Sequence, residues 1–277
     1  MEPTKEQVEE LKQIEIQMFR HFLDICNRLH LRYYLLGGTL LGAVRHQGFI
    51  PWDDDIDVGM PREDYEVFLK EAPLLLPNNL FVQTIWSDKE YLHCFAKIRN
   101  CDTTYIETTS AKRKMNHGVF IDVFPLDYYP SDKLAQKWLD FKKMMLSFRV
   151  LQEFTLPYSK KLKIRVAGCV GRLMYPSLMK ALVKRENIYK SIPQSKWLAN
   201  YGGAWGKKEI VPADWYGEGA ELVFEDMKVI GPKHYDKWLT QVYGDYMQLP
   251  PVEKRVGHHY ADVVDLHKPY TEYVKHS

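Results

Sequence analysis

A chain of 277 residues, 45% apolar and 27% charged, can bury a full core, and its even composition excludes fibrous and disordered classes. It has no apolar run of about 18 residues and opens on the acidic, polar MEPTKEQVEELKQ, so neither a spanning helix nor a signal peptide is expected and the location reads as cytoplasmic. Net charge is only +2, yet Lys133 to Arg185 holds thirteen Lys and Arg against two acids, Asp140 and Glu153, which predicts a basic module facing an anionic partner.

The first predicted element is a long amphipathic helix over residues 5–29. Thr4 and Gln7 suit a capping box, and Leu11, Ile14, Met18, Phe22, Ile25 and Leu29 recur at helical spacing. His21 and His30 read as surface or packing residues. A short strand over 32–36 then breaks at Gly37-Gly38, and Thr39 is placed to cap a helix ending near His46. Backbone N–H groups gathered at such a helix start suit a phosphate. Arg45 fits either a phosphate contact or the helix C-terminus, where cations are favoured.

Four carboxylates follow within five positions: Asp53, Asp54, Asp55 and Asp57. Charges so close repel unless a cation or protons neutralise them. The alternation of DIDVGM predicts a strand over 55–60, with Asp55 and Asp57 on one face and Ile56 and Val58 in the core. Paired carboxylates of that kind suit a hard cation, Mg²⁺ with Mn²⁺ as the alternative. Asp53 and Asp54 read as turn residues or supports.

Pro61 opens a helix to about Ala72, and strands are predicted over 80–85, 91–98 and 103–106 in a mainly antiparallel sheet. Lys97 and Arg99 share a strand face, either clamping phosphates or facing solvent. The run VFIDVF, Val119–Phe124, reads as a buried strand interrupted by Asp122 alone. A carboxylate there is costly without a cation or a proton, so Asp122 is expected to join Asp55 and Asp57. His117 and Asp127 flank it with weaker claims.

Helical patterns cover 131–154 and, after Pro157, a stretch to Lys190 broken at Pro176. The stripe Leu134, Trp138, Phe141, Met145 and Phe148 is expected to be core rather than membrane anchor. The surrounding basic charge suggests anionic lipid headgroups or an anionic, lipid-linked glycan, and no nucleic-acid module is recognisable. A hairpin over 221–230, a helix over 235–243 stopped by Gly244, and a tail with Arg255, His258 and His259 complete the chain. Arg255 is a phosphate-contact candidate. Cys26, Cys94, Cys101 and Cys169 lack paired spacing and read as free thiols rather than zinc ligands.

LLGGTLLGAVRHQGFIPWDDDIDVGM together with HGVFIDVFPLD resembles the LicD family of phosphocholine transferases, within the polymerase-β-like nucleotidyltransferases and related to the fukutin-type phosphotransferases. The likeness is dense over residues 15–130 and returns near YGDYMQLPP and the Arg255/His258 region. Thr39 lies sixteen residues before Asp55, a gap longer than the general polymerase-β pattern but suited to LicD. The resemblance implies an α+β fold, a nucleotidyltransferase-like mixed sheet flanked by helices with an added basic helical module. Its expected divisions are a catalytic core over 1–130, the basic module over 131–215, and a C-terminal segment over 216–277 packing back on the core.

The implied reaction is Mg²⁺-dependent transfer of phosphocholine from CDP-choline to a sugar hydroxyl of a bacterial surface-glycan precursor, of teichoic acid or lipopolysaccharide type, with release of CMP. Asp55, Asp57 and Asp122 would hold the metal and catalyse. Gly37, Gly38, Thr39, Arg45, Lys97, Arg99 and Arg255 would bind phosphates or substrate. An aromatic face, with Trp52 as first candidate, would hold choline. The acceptor would be a lipid-linked anionic glycan, with peripheral contact at the inner membrane face and no nucleic acid. One alternative is the same transfer from CDP-ribitol, CDP-glycerol or a sugar nucleotide. Another is a non-catalytic cation- or lipid-binding protein, although the acidic run lacks the glycine and glutamate of an EF-hand loop.

Overall fold

The computed structural model describes residues 4–154, 162–255, 257 and 260–274. Helix α1, Lys5–Leu29, starts at the expected capping box: Thr4 Oγ1 accepts the Gln7 N–H at 3.2 Å, and the Gln7 side chain accepts the Thr4 N–H at 2.9 Å. It stops at His30, which takes the left-handed conformation with φ 55°. Leu11, Met18, Phe19, Phe22 and Ile25 are buried along one side of α1. That side packs the helix into the main core.

In chain order there follow β1 (Tyr34–Leu35), α2 (Gly37–His46), β2 (Asp57–Pro61), α3 (Arg62–Leu75), β3 (Leu80–Gln83), β4 (Ala96–Asn100), β5 (Thr104–Glu107) and β6 (Val119–Tyr128). Three helices come next: α4 (Lys133–Phe154), α5 (Leu162–Met174) and α6 (Leu178–Lys190). The rest is β7 (Trp197–Asn200), β8 (Ile210–Pro212), β9 (Ala220–Phe224), β10 (Met227–Gly231), α7 (Tyr235–Tyr243) and β11 (Ala261–Asp265).

The main sheet runs β1-β2-β6-β4-β3, with β7 paired to the far end of β6 and β8 to β7. Strands β2 and β6 are parallel; its other pairings are antiparallel. This is the expected α+β arrangement. Strand β6 is its axis, ten residues with the first nine buried. Strand β5 leaves this sheet and pairs with β11, and β9 with β10 forms the expected hairpin.

Several expectations need correcting. Strand β2 begins at Asp57, so Asp55 sits in the loop ahead of it rather than on the strand. Alternation in a short acidic run does not distinguish a strand from the extended backbone leading into one. Pro61 closes β2 and caps α3 instead of opening the helix at its first turn. Residues 91–95 are not strand.

The helices α4–α6 are an excursion between β6 and β7, whose register pairs Tyr128 with Leu198. Residues 197–212, grouped with the basic module from sequence, therefore return to the main sheet. The break near Pro176 separates α5 from α6. Gly171 lies directly against the Phe148–Arg149 backbone, where a Cβ would collide, so α5 packs closely on α4. The stripe expected to be core is only partly so: Leu134, Trp138 and Phe141 are exposed and Met145 and Phe148 half-buried, while Leu139, Leu146 and Val150 face inward.

Candidate active site

The Gly37-Gly38 pair opens α2 with Leu36, not Thr39, in the capping position. Gly37 has φ +52°, and a Cβ there would lie 2.9 Å from Asp57 Oδ2. Only glycine tolerates both conditions without strain. The Asp53 carboxylate lies against Gly38 in the same way. Buried Thr39 accepts the Asp57 N–H at 2.8 Å and donates its hydroxyl to the Asp55 carbonyl at 3.4 Å. Thr39 thus pins the acidic loop where it enters β2.

Asp57 stands opposite Asp122 in the β2–β6 register, and Asp122 stands opposite Lys97 in the β6–β4 register. Lys97 Nζ lies 2.9 Å from Asp122 Oδ1, with the lysine 3% exposed and its ammonium 3.3 Å from the centre of the Phe120 ring. The cation that β6 requires for Asp122 is therefore already built in. Arg99, from the same strand face, does not reach the site. It is fully buried, donating to Gln83 Oε1, the Gly118 carbonyl and Glu107 Oε2 at 2.8, 2.8 and 3.2 Å. Its role is to fasten β3, β5 and β6. Asp127 is likewise taken, by Arg62 at 2.6 Å.

Asp53, Asp54 and Asp55 each offer a carboxylate oxygen within 4.8 Å of the others, the one such three-acid group among the described residues. The expected trio is thereby divided, with Asp55 in this loop cluster and Asp57 and Asp122 on the adjoining strands. Tyr105 donates its hydroxyl to Asp54 at 3.4 Å. The sequence reading missed Glu15 of α1. It is 2% exposed, and its Oε2 has no hydrogen-bond partner among the described residues. Burial holds its carboxyl well above the usual range, and the charges of Asp55, Asp54, Asp122 and Asp53 push it further. Glu15 thus sits where the loop and β6 carboxylates converge. Its signal was available: it is a lone acid in the stripe Leu11-Glu15-Met18-Phe22.

Three oxygen-only acids in reach of one another, with further carboxylates beside them, form a donor set of the kind that hard divalent cations take. Residues 30–163 match the family described as LicD/FKTN/FKRP, nucleotidyltransferase domain. The chain carries a LicD-family nucleotidyltransferase domain. The lipopolysaccharide cholinephosphotransferase LicD of Haemophilus influenzae is 29% identical over 91% of this chain and 95% of its own length. An uncharacterized protein of Rickettsia prowazekii is 30% identical over 41% of this chain and 39% of its own. The human ribitol 5-phosphate transferase FKRP is 47% identical over 45 residues, 16% of this chain and 9% of that protein. The domain match and the near full-length likeness to a cholinephosphotransferase support a phosphotransferase enzyme.

Basic and aromatic side chains lie around the acidic cluster. Arg45 donates to the Tyr246 carbonyl at 2.7 Å; burial lowers its pKa, Tyr243 opposes that shift and Arg255 reinforces it. The Arg255 guanidinium lies 5.5 Å from the Trp52 ring centre, so one face of Trp52 is already covered by a cation. Tyr243 is held high by burial, and the charges of Asp53 and Asp57 push it further. Trp205 meets Tyr243 edge to face at 5.0 Å. Glu209 fixes the Trp205 loop, accepting its N–H and the Asn200 amide at 2.9 Å each. His258 and His259 lie outside the described residues.

Proposed function

We propose that this LicD-type chain transfers phosphocholine from CDP-choline to a hydroxyl of a lipid-linked bacterial surface glycan, releasing CMP. The observation that supports the reading is the placement of the Asp53–Asp55 carboxylate cluster and the Asp57–Asp122 register pair around the N-terminus of α2. It is supported by the near full-length likeness to a protein named as a lipopolysaccharide cholinephosphotransferase. A teichoic-acid precursor would present the same kind of hydroxyl. Asp55, Asp57 and Asp122 would hold a Mg²⁺ or Mn²⁺ ion, which when bound offsets charge on the donor pyrophosphate.

The chain's own groups do the rest. Backbone N–H groups of Gly37 and Gly38, at the positive end of α2, face the phosphate oxygens. Arg45 and Arg255 supply positive charge on the rim. Asp122 accepts the proton of the acceptor hydroxyl, whose oxygen bonds to the phosphocholine phosphorus as the bond from that phosphorus to the CMP oxygen breaks. Lys97, locked to Asp122, fixes the orientation of that carboxylate. Thr39 and Arg99 act at one remove, through the backbone that presents the acids. The choline ammonium rests on Tyr243 and Trp205, since Trp52 is engaged by Arg255.

The test is CMP release from CDP-choline with Mg²⁺ and acceptor. Asp55→Ala, Asp57→Ala and Asp122→Ala should each abolish turnover in folded protein, and near-normal turnover in any of them removes that residue from the proposal. The short likeness to FKRP favours a second reading, with a CDP-polyol as donor. A thermal-shift series with CDP-choline, CDP-ribitol and CDP-glycerol separates the two, because the true donor raises the midpoint as its concentration passes Kd.

A further inference from the structure

Helix α5 has an outer face that no other element among the described residues covers. Leu162, Val166, Val170 and Leu173 follow one another at four-, four- and three-residue steps, which puts them on one side of a helix. They are 75%, 54%, 40% and 84% exposed. Gly168 and Gly171 are the buried residues of the helix, and Gly171 meets the α4 backbone. The apolar stripe is therefore the side turned away from the protein.

A solvated helix face normally carries charged or polar groups, and a row of aliphatic side chains in water needs a cause. The charges of α5 supply the second half of the argument. The helix contains Lys163, Arg165 and Arg172, all exposed, and no acid in its thirteen residues. A helix of this length spans roughly 20 Å, too short to cross a bilayer's hydrocarbon core of about 30 Å. No described helix is long and apolar enough to cross a membrane. An apolar stripe flanked by cations on a short helix suits a position in the plane of an anionic interface.

We propose that the outer face of α5 docks the protein onto an anionic lipid surface, the aliphatic stripe entering the headgroup boundary and Lys163, Arg165 and Arg172 meeting lipid phosphates. The excursion α4–α6 leaves and rejoins the main sheet at β6 and β7, so this docking ties the catalytic sheet to the surface. The inference goes beyond the proposed transfer reaction and does not rest on it, because lipid binding is read without donor or acceptor.

The experiment is co-sedimentation of the full chain with vesicles of phosphatidylcholine alone and of phosphatidylcholine mixed with phosphatidylglycerol. Binding is expected to the mixed vesicles and not to phosphatidylcholine alone. Triple charge reversal (K163E, R165E and R172E) and the stripe variant (V166D with L173D) should each weaken binding about tenfold or more, since each lost cation near the surface costs several-fold. All five positions are exposed, so folding is checked by an unchanged thermal midpoint. A readout that needs no substitution comes from Cys169, which is exposed while Cys26 is buried and Cys94 and Cys101 are half-buried. A polarity-sensitive dye on Cys169 should shift to the blue on mixed vesicles. Failure of the unsubstituted chain to bind, or binding that survives both sets of substitutions, overturns the proposal. So does a dimer in solution that V166D with L173D dissociates, which would assign the face to a second copy of the chain.

Discussion

Asp57 and Asp122 are register partners on the parallel pair β2 and β6, and Asp122 is bonded at 2.9 Å to buried Lys97. The register thus sets two carboxylates side by side on neighbouring strands, with buried Lys97 bonded to one of them. A metal-holding and proton-accepting role for the pair, as proposed above, has direct consequences for activity. Asp57→Asn and Asp122→Asn should each lower CMP release by about a hundredfold or more. The rise in thermal midpoint on adding Mg²⁺ should disappear in the same variants. A Mg²⁺ response that persists undiminished in both would place the ion elsewhere in the acidic loop.

Lys97→Met removes the partner of Asp122 inside the sheet. Breaking one side of a buried pair typically costs about 3–5 kcal/mol. Denaturant unfolding should show a loss of that order, and saturating Mg²⁺ should recover part of it, more in the variant than in the parent chain. Equal Mg²⁺ stabilisation of both proteins would show that Asp122 lies outside the ion's reach.

Glu15 gives a pH-dependent prediction with a definite sign. Its carboxyl is raised in the folded chain, chiefly by burial, above its ordinary value of 4.5. The folded state therefore holds the proton more tightly than the unfolded state. The resulting stabilisation is full below about pH 4.5 and is lost as pH climbs through the raised value. Glu15→Gln does not titrate, so its stability relative to the parent chain should grow from acid to neutral pH. Denaturant curves at both ends of that range are the measurement, and an advantage independent of pH would refute the assignment.

Glu209 follows the same sign. Burial pushes it up to about 7 from 4.5, against the opposing hydrogen bonds from Trp205 and Asn200. Its contribution should fade between pH 4.5 and about 7, and Glu209→Gln should flatten that part of the stability profile by about 3 kcal/mol. Trp205 is held by this carboxylate, so the variant should also raise KM for CDP-choline while leaving kcat nearly unchanged.

The sequence was most legible where a pattern is local. Helix α1 and helix α7 have the predicted ends because capping groups and 3.6-residue spacing act within a few turns, and Gly244 stops α7 with φ 77° as a terminating glycine should. Asp122 was legible for a different reason: an acid in a wholly apolar strand demands a partner. Its partner Lys97 was only half read, because a strand face says nothing about which side is buried. Arg99 shows the same limit, pointing into a core that forms only when β3, β5 and β6 meet. The return of β7 to the sheet depends on contacts some seventy positions apart, between Tyr128 and Leu198, and no local spacing encodes that. The first half of the α4 stripe, Leu134 to Phe141, was misplaced because apolar spacing marks a face without naming what it faces.

The recognisable family domain starts at residue 30, immediately after the helix that brings Glu15 to the acidic centre. Phe19 and Phe22 of that helix are fully buried, packing on Phe224 and on Tyr33 and Phe68. A fragment cut at the edges of the recognisable domain would thus lose Glu15 and would leave the aromatic side of the sheet wet. The hydrophobic core therefore extends on the N-terminal side beyond the matched residues, and the helix that completes it also carries Glu15.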